Sequence, residues 1–293
     1  MPTMKFSSTK MDDRDADADA DAESGSGGTK PAEIEVERKF SLDPASGGTN
    51  LAVIEVRLAS LRFRRSGVDV RFTDWYFDLP GPDWALSVRD CWLRYRDVTP
   101  TDKSNAPRGV WQLKRGRRSL GRSEDSTTVY EEIEGEAAIS AALAMIPADK
   151  DGREFAMIQA DRGFGGYFGG EVVPSLPAGC GLVPFARFET TRSGWTIPDI
   201  ADGDAGDLSS QFHGLSVDID STDFGYAVGE VEAVVGREEE VSNAQNRIGS
   251  LTKQIIGEGS YDHNGQSTPG KLETYLMQRN PYLYKACLDA GVM

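Results

Sequence analysis

Charged and apolar residues alternate in the segment 34–40, directly after a polar N-terminal stretch. Glu35, Glu37 and Lys39 fall on every second position, and mostly apolar residues occupy the positions between them. Successive side chains of a β-strand point to opposite faces, so these three charged groups would share one face. The pattern predicts a strand, although a surface strand with one face in water would read the same way.

The same period of two recurs in four later segments. Polar or charged residues share a strand face in each of them: Trp92, Arg94 and Arg96; Gln112 and Lys114; Asp218 and Asp220; Glu230 and Glu232. Several strands that each carry such a row suggest a polar interior. Carboxylates in it would suit a divalent metal, and basic groups would suit a polyanion.

Strand patterns and turn residues dominate the rest of the chain. Strands are predicted at about 33–41, 71–78, 91–97, 109–114, 128–134, 184–192, 214–220 and 226–235. Helical spacing predicts helices at about 50–64, 136–146, 152–160, 239–256 and 270–279, and loops fall at 99–109, 163–182 and 199–213. These elements favour an α+β fold, a closed antiparallel eight-stranded β-barrel with helices packed outside, because closure removes sheet edges and encloses the polar faces.

Residues 1–32 differ in composition from everything that follows. Alternating Asp and Ala over 15–21 and a Gly/Ser run after it supply almost no large apolar side chain, so burial cannot offset the entropy of ordering. We predict a disordered acidic tail at 1–32 and one folded domain at 33–293. A calcium-binding loop is the alternative for the Asp run, but the run lacks the glycine and terminal glutamate of such a loop.

Composition narrows the choice of partner and compartment. The 293 residues carry 32 Lys and Arg against 47 Asp and Glu, a net charge of −15, so general nucleic-acid binding is excluded and any phosphate recognition must be local. Cys91, Cys180 and Cys287 are too few and too far apart for a disulfide framework or a zinc site, which favours a reducing, cytoplasmic location. No apolar run suggests a membrane span or signal peptide. We expect a monomer.

Six blocks, in order along the chain, carry a resemblance to a known family. They lie at 35–39 (Glu-x-Glu-x-Lys), 90–97, 111–114, 191–195, 217–232 and 270–276. Together they resemble the CYTH superfamily, the triphosphate tunnel metalloenzymes, which includes thiamine triphosphatases, inorganic tripolyphosphatases and class IV adenylate cyclases. The block at 217–232 is most similar to thiamine triphosphatases of the vertebrate type. The acidic tail and the segments 163–182 and 199–213 depart from the family pattern.

The resemblance implies a set of site residues. Ligands for magnesium, or manganese, would be Glu35, Glu37, Asp218, Glu230 and Glu232. Triphosphate oxygens would be bound by Lys39, Arg94, Arg96, Lys114, Arg192 and Lys271. Lys271 lies on a predicted helix, where a solvated lysine is the alternative. Glu132 is a further candidate for the lumen, in competition with Glu131 and Glu134.

The implied activity is metal-dependent hydrolysis of thiamine triphosphate to thiamine diphosphate and phosphate. A metal-activated water would attack, so no catalytic protein residue is predicted, and His213 and His263 are read as structural or surface residues. Trp92 would stack on the thiazolium ring, or else is a packed barrel aromatic. Inorganic tripolyphosphatase, cyclase and non-catalytic binding of a phosphorylated ligand remain alternatives.

Overall fold

A computed structural model of the protein describes residues 32–44, 48–99, 109–117, 127–147, 167–168, 171–177, 179–198, 211–257 and 267–293. Residues 1–31 of the predicted tail, the helix predicted at 152–160, His263, most of the predicted loops 99–109 and 199–213, and part of the loop 163–182 lie outside the described residues. The strands and helices discussed below all belong to the described part.

Eight long strands and three strands of two residues form the sheets of the described chain. The strands are β1 (Glu33–Ser41), β2 (Arg64–Arg65), β3 (Val70–Asp78), β4 (Cys91–Val98), β5 (Val110–Gly116), β6 (Thr128–Glu134), β7 (Tyr167–Phe168), β8 (Glu171–Val172), β9 (Val183–Thr196), β10 (Ser216–Thr222) and β11 (Ala227–Val235). The α-helices are α1 (Leu51–Ser60), α2 (Glu136–Met145), α3 (Val241–Ile256), α4 (Lys271–Arg279) and α5 (Pro281–Asp289). Each of the eight predicted strands corresponds to one of the long strands.

Antiparallel pairing closes the long strands into a barrel. The order is β10-β11-β1-β6-β5-β4-β3-β9, and β9 pairs in turn with β10. The two-residue strand β2 adds to the end of β9. The predicted eight-stranded barrel is therefore confirmed, with one short extra strand on its margin.

The strand register places the alternating charges on the inner face. Glu37 of β1 lies opposite Glu232, and Lys39 lies opposite Glu230. On the other side of the barrel, Lys114 lies opposite Glu132. Directly opposed residues share a face of the sheet, so the charged rows of neighbouring strands meet in one lumen.

The outer face of the barrel packs against three of the helices. Ile248 and Leu251 of α3 join Val36 and Val231 of the sheet in one buried cluster. A second cluster places α2 against β4 and β5. Burial of these apolar faces supplies the main driving force for the fold.

The helices α4 and α5, here called the C-terminal helix pair, pack differently. Leu276 of α4 and Leu283 of α5 form a buried cluster with Tyr76, Trp92 and Phe188. Those three aromatic residues lie on the inward faces of their strands, so the pair contacts the interior of the barrel and not only its outside. This placement brings the start of α4 to the lumen.

Helix α5 was not among the predicted elements. The sequence prediction ended the last helix at residue 279, ahead of Asn280 and Pro281. Proline is well tolerated at the first helical position, and the Asn280 side chain accepts a hydrogen bond from the backbone N–H of Leu283. The Asn-Pro pair therefore starts a second helix directly after the predicted one.

Two further observations concern the cysteines and the helices. Cys91, Cys180 and Cys287 are free thiols, and the first and last of them are buried. None of the helices in the described residues is both long enough and apolar enough to cross a membrane.

Candidate active site in the barrel lumen

A cavity of about 940 Å³ occupies the lumen. Its volume lies within the range of pockets that hold small molecules. Eleven of the twelve residues predicted for the site line it: Glu35, Glu37, Lys39, Trp92, Arg94, Arg96, Lys114, Arg192, Glu230, Glu232 and Lys271. Asp218, the twelfth, is buried and contacts the lumen-facing Arg192, with 2.5 Å between its Oδ2 and Nη1 of the arginine.

Strand β1 supplies two buried carboxylates that are paired with lysines. Glu35 forms an ion pair with Lys114, and Glu37 forms one with Lys39. Lys114 also lies 3.8 Å from Glu37. Burial alone would lower the pKa of Lys114, but the carboxylates of Glu35 and Glu37 outweigh it and the pKa is raised. Both lysines are therefore ammonium ions at neutral pH.

Arg192 of β9 is the centre of a second group of charges. Its Nε and Nη2 atoms donate to the two carboxylate oxygens of Asp220 at 2.8 and 2.7 Å, and Nη2 lies 3.2 Å from Glu230. Lys271 of α4 pairs with both Asp220 and Glu230. Burial would raise the pKa of Glu230, yet Lys271, Lys39 and Arg192 hold it well below its ordinary value. Lys271 is 8% exposed, so it is not the solvated lysine of the alternative.

Two arginines of β4 form the third group. Arg94 donates from Nε to Gln112 at 2.8 Å and from Nη2 to Glu132 at 3.3 Å. Arg96 makes a two-point contact with Asp74. Of the three glutamates in β6, Glu132 thus faces the arginines and lines the cavity.

The neighbours of Glu132 take other partners. Glu134 accepts a hydrogen bond from Gln112 at 2.7 Å, and Glu131 lies on the opposite face of the strand, 3.8 Å from Arg115. The competition left open by the sequence is thereby settled in favour of Glu132 as the residue beside the basic groups.

Glu232 differs from Glu35, Glu37 and Glu230, each of which forms an ion pair with a lysine. Ser216 donates a hydrogen bond to Glu232 at 3.1 Å, and no ion pair to it is found within the described residues. Burial, followed by repulsion from Glu35 and Asp218, raises its pKa to about 7. A cation close to these three carboxylates would relieve that repulsion.

The lumen carboxylates are not gathered into a preformed metal site in the described part of the chain. Across the described ranges, no three Asp, Glu, His or Cys side chains are gathered closely enough to hold an ion. The donor chemistry nevertheless fits a hard divalent cation, since carboxylate oxygens converge on the lumen and Glu35 and Asp218 repel Glu232 there. The paired carboxylates would have to exchange their basic partners for the ion: Glu35, Glu37, Asp218 and Glu230.

Trp92 is placed at the end of the lumen next to the C-terminal helix pair. It is 8% exposed, packs in the cluster with Leu276 and Leu283, and donates from Nε1 to Asp90 at 3.0 Å. It also contributes to the wall of the cavity. Both sequence readings of Trp92, packed aromatic and ring platform, are compatible with this position.

Two acidic residues beside the arginines were not assigned a role from sequence. Asp74 contacts Arg96, and Asp220 contacts Arg192 and Lys271. Both are 0% exposed. For Asp220, the sequence feature that could have identified it is the strand face it shares with Asp218. For Asp74, that feature is the period of two in β3, which puts Asp74 on the inward face with Tyr76.

Comparisons with known proteins point in one direction. A family model described as CYTH domain matches residues 33–263. The chain is 33% identical over 260 residues to a human thiamine-triphosphatase and 31% identical over 260 residues to one from Macaca fascicularis, covering 88% of this chain and 90% of each relative. Among solved structures, the PH1819 protein from Pyrococcus horikoshii OT3 matches with a TM-score of 0.46 and 17% identity, covering 84% of this chain and 99% of that one.

Proposed function

This chain belongs to the CYTH family, and we propose that it hydrolyses the terminal phosphoanhydride of thiamine triphosphate, releasing phosphate and thiamine diphosphate, with magnesium as cofactor. The observation that carries the proposal is the interleaving of buried acidic and basic groups around one cavity. A triphosphate and a divalent cation together present the complementary set of charges.

Binding of the triphosphate is assigned to six cationic side chains around the cavity. They are Lys39, Arg94, Arg96, Lys114, Arg192 and Lys271. Hydrogen bonds between charged groups are roughly twice as strong as neutral ones, and an arginine presents two parallel N–H groups to a phosphate. Four different strands and one helix supply these groups, so the cations surround the cavity. A triphosphate chain in the cavity could therefore contact several of them at once.

The cations must change partners for this to happen. Lys39 and Lys114 neutralise Glu37 and Glu35 in the structure. Those carboxylates, with Glu230, Glu232 and Asp218, are the proposed ligands of magnesium. When bound, magnesium would neutralise charge on the phosphate oxygens and lower the pKa of a coordinated water. The lysines can then pair with phosphate oxygens while the carboxylates keep a positive partner.

The side chains around the cavity supply electrostatic stabilisation for the reaction. Negative charge spreads over the oxygens of the phosphoryl group as it is transferred, and fixed cations that already lie in place need little reorganisation. Among the described residues that line the cavity, none is a cysteine or a histidine. The proposal therefore assigns the chain's residues to binding, orientation and charge neutralisation, and assigns attack to water.

The thiamine moiety is placed at the end of the cavity beside the C-terminal helix pair. Trp92, Met277, Tyr284 and Met293 contribute to the wall there. A cationic thiazolium ring is attracted to an aromatic face. This wall of aromatic and methionine side chains, together with the similarity to two thiamine-triphosphatases, supports an organic triphosphate as substrate. Inorganic tripolyphosphate has no organic group that could contact the wall.

The test is phosphate release from thiamine triphosphate, tripolyphosphate and ATP, measured side by side with magnesium. We expect the highest kcat/KM for thiamine triphosphate. Glu37→Gln should abolish turnover, whereas the matched control Glu131→Gln, on the outer face of β6, should not. A preference for tripolyphosphate would move the chain to that activity, and binding without release of phosphate would make it a binding module.

A further inference from the structure

Asp74 of β3 is fully buried behind the arginines of the lumen. Its Oδ1 accepts from Nε of Arg96 and its Oδ2 accepts from Nη2, both at 2.7 Å. Oδ2 also lies 3.9 Å from Nη1 of Arg94. One carboxylate that does not itself line the cavity thus contacts two of the cations that do.

Phe72 lies two residues before Asp74 on the same face of β3. The guanidinium carbon of Arg96 lies 4.0 Å from the centre of its ring, and that of Arg192 lies 5.5 Å from it. Stacking on an aromatic ring restricts the plane of a guanidinium, and a two-point contact restricts its rotation within that plane. Asp74 and Phe72 together leave Arg96 little freedom.

We propose that Asp74 is a positioning residue, which fixes the guanidinium of Arg96 over Phe72 so that its opposite edge, including Nη1, faces the triphosphate. The inference rests on the proposed function and adds to it a residue that acts only through another side chain. Because Asp74 engages the Nε and Nη2 edge of Arg96, the Nη1 edge remains for an anion in the cavity.

The charge state of Asp74 is consistent with this role. Burial would raise its pKa, but Arg96 and Arg94 lower it to about 2. The carboxylate is therefore ionised at any pH at which the protein would be assayed. A fixed negative charge keeps the fork of Arg96 engaged before ligand enters.

Asp78 provides a matched control within the same strand and on the same face. It is also 0% exposed, but its partners are the backbone N–H groups of Leu79, Ala85, Leu86 and Ser87. Asp78 holds the turn that follows β3 and contacts no arginine of the lumen. Replacing it tests what loss of a buried carboxylate does to the fold alone.

The experiment is a double-mutant cycle between Asp74→Asn and Arg96→Lys, read as kcat/KM for thiamine triphosphate, or for whichever tested triphosphate the wild type hydrolyses best, beside the melting temperature. Each single variant should lower kcat/KM by tenfold or more. Because lysine has no fork to fix, Asp74→Asn should cost less than threefold further in the Arg96→Lys background. Asp78→Asn should lower the melting temperature and leave kcat/KM within threefold of the wild type. Its fold-change in kcat/KM should be the same in the Arg96→Lys background.

Effects of Asp74→Asn and Arg96→Lys that multiply fully would overturn the inference and make Asp74 a residue of the fold. If Asp74→Asn does not fold, Phe72→Leu replaces it, and the same loss of effect in the Arg96→Lys background is expected.

Failure of the proposed function would be recognised separately. If the wild type releases no phosphate from any triphosphate, the cycle is repeated on the dissociation constant of tripolyphosphate, measured by calorimetry. Asp74→Asn should still weaken that binding tenfold or more, and the weakening should disappear in Arg96→Lys. Unchanged binding in Asp74→Asn, or no binding by the wild type, would overturn the inference.

Discussion

Replacing Glu232 by glutamine should stabilise the metal-free protein at alkaline pH. Glu232 is crowded by Glu35 and Asp218 in a buried setting, and its pKa is raised from 4.5 to about 7. The folded protein therefore holds a proton at this position between those values, whereas the unfolded chain releases it. Stability falls as the pH rises through this interval, because ionisation favours the unfolded state.

The size of the effect follows from the interval itself. At 1.36 kcal/mol per pH unit, the distance from 4.5 to about 7 corresponds to about 3 kcal/mol of unfolding free energy at pH 8. At pH 5 the same calculation gives less than about 1 kcal/mol. For a chain of this size, about 3 kcal/mol should raise the melting temperature by roughly 5–10 °C.

Thermal melts of the wild type and of Glu232→Gln, in chelator at pH 5 and pH 8, measure the difference directly. The gain should be large at pH 8 and small at pH 5, and magnesium should stabilise the wild type more than the variant and so narrow the gap. Glu131→Gln, on the outer face, should show no such pH dependence. An equal gain at both pH values, or none at pH 8, would refute the reasoning about Glu232.

Three further perturbations address the cations, the ring platform and the C-terminal helix pair. Arg94→Lys keeps the charge but loses the guanidinium fork, whose Nε donates to Gln112 and whose Nη2 donates to Glu132, so kcat/KM should fall by roughly tenfold to a thousandfold with little change in melting temperature; full turnover would show that the fork is not used. Trp92→Leu keeps a bulky apolar side chain and removes the aromatic face. The ratio of kcat/KM for thiamine triphosphate to that for tripolyphosphate should therefore fall by about 5- to 30-fold, equivalent to about 1–2 kcal/mol; an equal fall for both substrates would make Trp92 a packing residue. Leu283→Ala should lower the free energy of unfolding in urea by about 2–5 kcal/mol, because Leu283 is fully buried against the barrel; a loss under about 1 kcal/mol would show that α5 adds little to stability.

The barrel and most of the lumen could be predicted because they depend on a short-range rule. A period of two assigns every residue of a strand to one of two faces, whatever the strand pairs with. Glu35, Glu37 and Lys39 were therefore placed on one face correctly before any neighbour was known, and the same holds for Arg94 and Arg96. Eight strands that each carry a polar face then favoured closure of the sheet, because closure removes the sheet edges and encloses those faces.

What the sequence did not yield depends on contacts between distant residues. The alternation of strand faces applies to Asp74 as it does to Arg96. The role of Asp74 could be assigned only once β3 was known to lie beside β4 with the two residues opposite each other. The pairing of Lys271 with Asp220, 51 positions away, likewise requires the path of the chain into α4. The boundary at Asn280 and Pro281 is ambiguous locally, since the same two residues can end one helix or begin the next.

The most direct test of the central claim is the identity of the products, followed by phosphorus-31 NMR of thiamine triphosphate with the full chain and magnesium. Hydrolysis of the terminal anhydride predicts that the signal of the middle phosphate disappears while thiamine diphosphate and orthophosphate grow in equal amounts. Excess chelator should stop the change. Release of pyrophosphate, or a spectrum that stays unchanged over many hours, would contradict the account.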